Sequence, residues 1–215
     1  MANKIQIDII SDVVCPWCII GYKYLEKAIT ELGLEDRVAI EWKPFELNPD
    51  MPAEGENLRA HIARKYGSSP EESAKSRASM TKIAGELGFT FDFHDAMKIV
   101  NTRNAHILLA YAREQGKQHE LQMRLFEAVF SNRQDVSDKQ VLAEILESVS
   151  LNAAEALAEL DNPVAREKIT GEEEYWRSMG VSSVPTIVFN RKGAVTGAHP
   201  TEVFKQVLTE IVEQG

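Results

Sequence analysis

Only two cysteines occur in 215 residues, too few for the disulfide framework of a small secreted domain, which needs four or more in a short chain. There is no Lys/Arg-rich run. With 24 basic against 33 acidic residues the formal charge is -9, so nothing supplies the basic patch that tracking a phosphate backbone requires, and nucleic acid is excluded as an expected partner. No segment reaches the roughly 18 consecutive apolar residues of a membrane span. At the N-terminus Gln6 and Asp8 interrupt the only run that could form a signal-peptide core. Glycine and proline number 12 and 8, which argues against collagen-like, low-complexity or disordered sequence. The expectation is a folded, cytoplasmic protein with no membrane partner, and in a reducing compartment a lone cysteine pair is catalytic or metal-binding more often than structural.

What is present is strongly patterned. Ile5, Ile7 and Ile9 alternate with Gln6 and Asp8 at the period of a strand, and Ile10 predicts that both faces become buried toward its end. After a turn at Ser11–Val14, Ile19, Tyr22, Leu25, Ile29 and Leu32 recur at helical spacing, with Pro16 in the first turn and Gly33 as the stop. Val38, Ile40 and Trp42 alternate as a second strand, which implies a parallel crossover. From residue 54 to 161 helical periodicity takes over, with helices predicted over 58–66, 70–87, 102–114, 118–130, 138–149 and 153–160. A helix over 163–179 follows. Val181–Phe189 then reads as a strand entered through Pro185, Ala194–Gly197 as a short fourth strand, and Val203 to Val212 as a final amphipathic helix. Without its helical block this is the element order of thioredoxin. The α/β reading is therefore a discontinuous thioredoxin-like domain (1–53 and 162–215) interrupted by a helical insertion or lid (54–161).

Cys15-Pro16-Trp17-Cys18 admits three meanings: a redox dithiol, half of a metal site, or two buried thiols. A structural zinc needs four ligands, and His61, His94, His106, His119 and His199 contain no pair at three- to five-residue spacing. No metal is expected. Placement after a strand and at a helix start suits a dithiol, because helix-start amides and the helix dipole stabilise a thiolate. Cys15 is then the exposed nucleophile, and Cys18, one turn on, the resolving thiol. Val184-Pro185 reads either as a strand start tolerating proline or as a cis peptide that turns the Val184 backbone toward the dithiol to bind an extended substrate chain.

These residues, together with Trp42 to Pro52, Asn101-Thr102-Arg103-Asn104-Ala105-His106 and Gly197-Ala198-His199-Pro200, resemble the DsbA-like thioredoxin-fold family, and within it the FrnE-like subgroup. The resemblance spans nearly the whole chain. It implies a thiol–disulfide oxidoreductase or isomerase acting on thiol- or disulfide-containing proteins or peptides. No cofactor is bound in such a protein beyond its own redox-active disulfide, and glutathione is a candidate co-substrate. Some members of the subgroup carry a second, C-terminal cysteine pair, absent here. Kappa-class glutathione transferases and 2-hydroxychromene-2-carboxylate isomerases are similar in architecture but have serine where Cys15 stands; a glutathione-dependent isomerase or transferase is the alternative function. In those relatives a stretch like Asn101-Thr102 approaches the active site, which makes the pair a candidate glutathione or substrate cleft, against the simpler reading of a helix cap. Pro16 and Trp17 are read as substrate-facing, with Trp17 equally able to pack under the insertion. Asp12 reads as a solvated turn aspartate, His106 as a core or interface histidine, and Glu172-Glu173-Glu174 as a solvated helix face.

Overall fold

A computed structural model describes residues 4–214; residues 1–3 and 215 of the expected discontinuous domain lie outside the described residues. Strand β1 (Ile5–Ser11) leads through the dithiol turn into helix α1 (Pro16–Glu31), and β2 (Val38–Pro44) pairs with β1 in parallel, Ile5 opposite Val38 and Ser11 opposite Pro44. The 54–161 block holds β3 (Glu56–Asn57), α2 (Leu58–Tyr66), α3 (Pro70–Glu86), β4 (Lys98–Ile99), α4 (Arg103–Glu114), α5 (Gln118–Phe130), α6 (Lys139–Ser148) and α7 (Ala153–Ala158). Helix α8 (Pro163–Ser178) returns the chain to β5 (Thr186–Phe189), β6 (Gly193–Thr196) and α9 (Thr201–Gln214). The main sheet has the order β2-β1-β5-β6, with β5 antiparallel to β1 and β6 antiparallel to β5.

Two strand expectations need correction. Val181–Phe189 is not one strand: pairing begins only at Thr186, because Gly180 at φ +89 and the cis Val184-Pro185 bond turn the backbone away from the ladder. The helical block also contains a small ladder, Glu56 opposite Ile99 and Asn57 opposite Lys98. Asp8 alternates with the strand's isoleucines in sequence yet is fully buried, since β1 is central and covered on both sides; Lys43 lies 3.7 Å and Arg191 3.6 Å from its carboxylate.

The larger of two apolar clusters runs from Ile7, Ile9, Leu25 and Phe204 around the sheet through Trp42 to Leu108, Leu121 and Phe126 of the helical block, and a smaller one gathers Ile10, Phe45, Trp176, Val181 and Val188. Burial of this kind stabilises by roughly 25 cal/mol per Å² of apolar surface removed from water, so the block and the sheet depend on the same surface. Helix α5 also completes the free edge of β2. The Trp42 amide donates to Gln118 Oε1 at 3.0 Å, and Gln118 Nε2 donates to the Trp42 carbonyl at 2.9 Å, so one side chain stands in for a neighbouring strand. Beside it the Trp42 indole donates to His119 Nδ1 at 3.2 Å, and His119 Nε2 meets the Tyr22 hydroxyl at 3.2 Å.

Candidate active site

Cys15 occupies the cap position of α1 with extended backbone (φ -95, ψ 110), and Pro16 fills the first turn, where its missing N–H loses nothing. Its amide donates to the Asp12 carbonyl at 3.0 Å, and its carbonyl accepts from Cys18 N at 3.1 Å. No acidic residue lies in the first turn of α1, so the positive end of the helix is uncompensated where Cys15 sits. Both thiols are free. Cys18 is fully buried. Burial pushes its thiol well up, the adjoining Cys15 pushes it further, and the Ser11 hydroxyl and Asp12 backbone offset this only in part. The two sulfurs are thus unequal: one sits at a helix start, the other is held as a neutral thiol beneath it.

The expected exposure of Cys15 is corrected: the residue is only 5 % exposed. The cause is the loop before β5, which lies over the dithiol and places the Val184 carbonyl 3.9 Å from Cys15 Sγ. The Val184-Pro185 bond is cis, as the sequence reading required. Helix α1 admits this loop because residue 21 is glycine; a Cβ there would meet Pro185 Cγ at 3.0 Å and the Ala198 backbone at 3.4 Å. Pro185 is buried and Val184 partly so. Trp17 is 40 % exposed, which places it on the surface rather than under the insertion.

Behind the dithiol turn, three sequence motifs lock together. Asp12 is buried, not solvated: Oδ2 accepts the Leu47 amide at 2.8 Å and Oδ1 lies 3.5 Å from His106 Nε2. Arg103 pairs with Glu46, donating from Nε to Oε2 at 2.7 Å, and reaches Thr170 Oγ1 at 2.6 Å. Glu173 Oε1 accepts the Glu46 amide at 2.7 Å, so the 172–174 run is not wholly a solvated face; the end of β2 and helix α4 cover it. Burial lowers the His106 imidazole, but the Asp12 carboxylate, with Glu173 and Glu46, outweighs this and holds it above its ordinary value. Burial raises the Glu173 carboxyl, and the Glu46 charge raises it further. His106 is therefore a core residue, as its sequence context suggested.

The Asn101-Thr102 pair lies at the start of α4. Asn101 Oδ1 accepts the Arg103 amide at 3.0 Å and its Nδ2 donates to the Pro49 carbonyl at 3.1 Å, while Thr102 is buried. Asn101 acts as the cap, one residue earlier than the geometric cap position, and its amide is engaged within the protein.

Two residues escape a reading of sequence alone. Ser11 is buried next to Cys18 at the end of β1. Tyr66 ends α2, is 59 % exposed, and has its phenol raised first by partial burial and then by the charge on Cys15. The signal for Tyr66 was an aromatic side chain at the end of a helix otherwise bearing Arg59, Arg64 and Lys65 on its open faces. Among the described residues no cluster of metal-ligating side chains occurs, and no helix is long and apolar enough to cross a membrane.

The β1–α1 dithiol, the cis-proline loop and the four-stranded sheet define a thioredoxin-type protein with a helical insertion. Residues 6–209 match the DsbA-like thioredoxin domain, and the chain belongs to that family. It is 25 % identical over 210 residues to the uncharacterized protein YwbO of Bacillus subtilis, covering 96 % of each. A probable DsbA oxidoreductase of Streptomyces coelicolor, SCO1869, superimposes with a TM-score of 0.92 at 28 % identity, covering 98 % of this chain and 91 % of that one. The cytosolic disulfide reductase DsbM of Pseudomonas aeruginosa, solved with GSH, shares the fold at a TM-score of 0.66 and 15 % identity, covering 97 % of this chain and 99 % of that one.

Proposed function

We propose that this protein is a thiol–disulfide oxidoreductase or isomerase of the FrnE-like subgroup, acting in the cytoplasm on cysteine-containing proteins or peptides. The observation that carries the reading is the inequality of the two sulfurs: Cys15 at the start of α1 under the Val184 carbonyl, and Cys18 buried and held protonated behind it. The Cys15 thiolate attacks one sulfur of a substrate disulfide, forming a mixed disulfide and expelling the other sulfur as a thiolate. Cys18 then loses its proton and attacks Cys15 Sγ; the mixed S–S bond breaks, and the second substrate thiolate leaves. The substrate disulfide has gained two electrons, the dithiol has lost two, and the dithiol's protons pass to the departing thiolates. Run backwards, the same steps oxidise a dithiol substrate.

Trp17 and Pro16 at the helix start, and Val184 with Pro185 opposite them, make the substrate-binding edge, where the Val184 backbone pairs with an extended chain. Residues 54–161 act as an insertion that shapes the cleft. The redox-active cysteine pair is the only redox group this chemistry calls for, and glutathione serves as co-substrate. The intact dithiol favours exchange over glutathione-dependent isomerisation or transfer. Cys15→Ser is the deciding variant: it is expected to abolish disulfide exchange, whereas a transferase would survive it. Cys18→Ser should accumulate mixed disulfides with substrate, resolved on a non-reducing gel. Exchange retained by Cys15→Ser overturns the proposal.

A further inference from the structure

One cleft begins a single residue before the nucleophile and belongs to none of the features described so far. It encloses about 300 Å³, the lower end of the range for pockets that hold a ligand group. Its apolar lining comes from Val14, Met97, Val100, Val129 and Val136, all buried. Its mouth is polar, with His94, Lys98, Arg133 and Asp135 around it. Only Val14 comes from the thioredoxin part; the remaining wall is supplied by the segment around β4 and by the end of α5 with the turn that follows it.

The walls are built before any ligand arrives. Asp92 N donates to the Phe130 carbonyl at 2.7 Å and Ser131 Oγ to the Thr90 carbonyl at 2.6 Å, tying the two wall segments together. Arg133 is held against Asp92 by bonds of 2.6 and 3.0 Å, and Lys98 Nζ donates to the Glu54 carbonyl at 3.1 Å. Phe91 packs edge-on to Phe130 behind this seam, with ring centroids 5.1 Å apart. A cleft fixed in this way gives up little freedom on binding, which is the condition for affinity from a small apolar contact.

We propose that this cleft is a specificity subsite that receives an aliphatic side chain of Leu or Met size, carried by the substrate polypeptide one or two residues from its disulfide cysteine. Adjacent Cα atoms are about 3.8 Å apart and an extended chain advances about 3.3–3.6 Å per residue, so a side chain lodged over Val14 belongs to a near neighbour of the cysteine attacked by Cys15. The apolar floor selects an aliphatic group. The mouth carries both signs, Lys98 and Arg133 with Asp135, and offers polar groups to the main chain that must flank the side chain. The inference rests on the exchange reading above and adds the class of sequence exchanged.

The test uses peptides with one cysteine bound as a mixed disulfide to thionitrobenzoate, alike except for Leu or Gly in the positions adjoining the cysteine. Release of the chromophore reports the rate of attack by the full-length reduced protein. The Leu peptide is expected to react about tenfold faster or more, the factor that follows from burying one aliphatic side chain. Ala96 lies exposed on the cleft mouth and Gln134 on the opposite wall. Ala96→Trp and Gln134→Trp, each filling the cleft, should bring the Leu:Gly ratio to within about twofold; this ratio is internal to each variant, so a general loss of rate does not mimic it. No Leu preference in the unmodified protein, or a preference that persists in both filled variants, overturns the subsite. A different result marks failure of the underlying reading: no exchange by the unmodified protein with these peptides or with hydroxyethyl disulfide.

Discussion

A sulfur held at 0 % exposure three residues from one at a helix start makes the two thiols chemically distinct without any charged neighbour in the first turn. Limited alkylation of the reduced protein, followed by peptide mapping, is expected to label Cys15 before Cys18. The raised Cys18 thiol also couples to stability. Its ordinary value is 9.0, so the unfolded chain releases this proton near pH 9 while the native state keeps it. The stabilisation is complete below that pH and is lost as pH rises toward the native value. Urea midpoints of the reduced protein should therefore fall above about pH 9, and Cys18→Ala should fall less steeply; Tyr22, raised by burial and then by Glu26, adds its own loss at higher pH. A second buried pair sets a larger effect. His106→Leu leaves the Asp12 carboxylate facing an apolar side chain, and a loss of about 3–5 kcal/mol is expected by chemical denaturation, the range for breaking one side of a buried pair.

Among the elements, β1 and α1 were legible because the information is local: alternating isoleucines, Pro16 in the first turn and Gly33 at φ +64 after the last. The start of β5 was not, since Val181 and Val184 carry strand propensity while the backbone between Gly180 and Pro185 is bent out of the ladder. The two-residue strands β3 and β4 are too short to show a period. Within the site, Cys15, Cys18 and the cis Pro185 could be read from motif and position, whereas the burial of Asp12 depends on partners that only the fold delivers, the Leu47 amide and His106. The Gln118 clasp on Trp42 is another such long-range contact. Gln118→Ala uncovers both backbone groups of Trp42 in a buried setting and is expected to cost about 1–3 kcal/mol, measured as a shift in urea midpoint relative to the unmodified protein.

For the whole molecule, the shared core decides how the two parts of the chain relate. Trp42 packs edge-on against Phe126 of α5 with ring centroids 5.8 Å apart, and Leu25 of α1 belongs to the same cluster as Met80 and Leu108. Loop-closure entropy alone tolerates excision, growing only as about (3/2)RT ln n, but removing residues 54–161 strips this apolar face from the sheet. The excised chain, closed by a short linker, is expected to be unfolded or aggregated by circular dichroism and size-exclusion chromatography. A monodisperse, cooperatively unfolding product would show that the thioredoxin part carries a sufficient core of its own.

The amide of Gln118 has one more consequence, felt between molecules rather than within one. A sheet ends in strands whose unpaired N–H and C=O groups can recruit the edge of another copy, and proteins guard against this by covering or charging those edges. Here the β2 border is closed by a side chain from α5 at the position of Trp42, in the middle of the strand. Growth of the sheet past β2 is thereby blocked at Trp42, a protection against intermolecular zippering that adds to the charges of Glu41 and Lys43 and to Pro44 on the same strand.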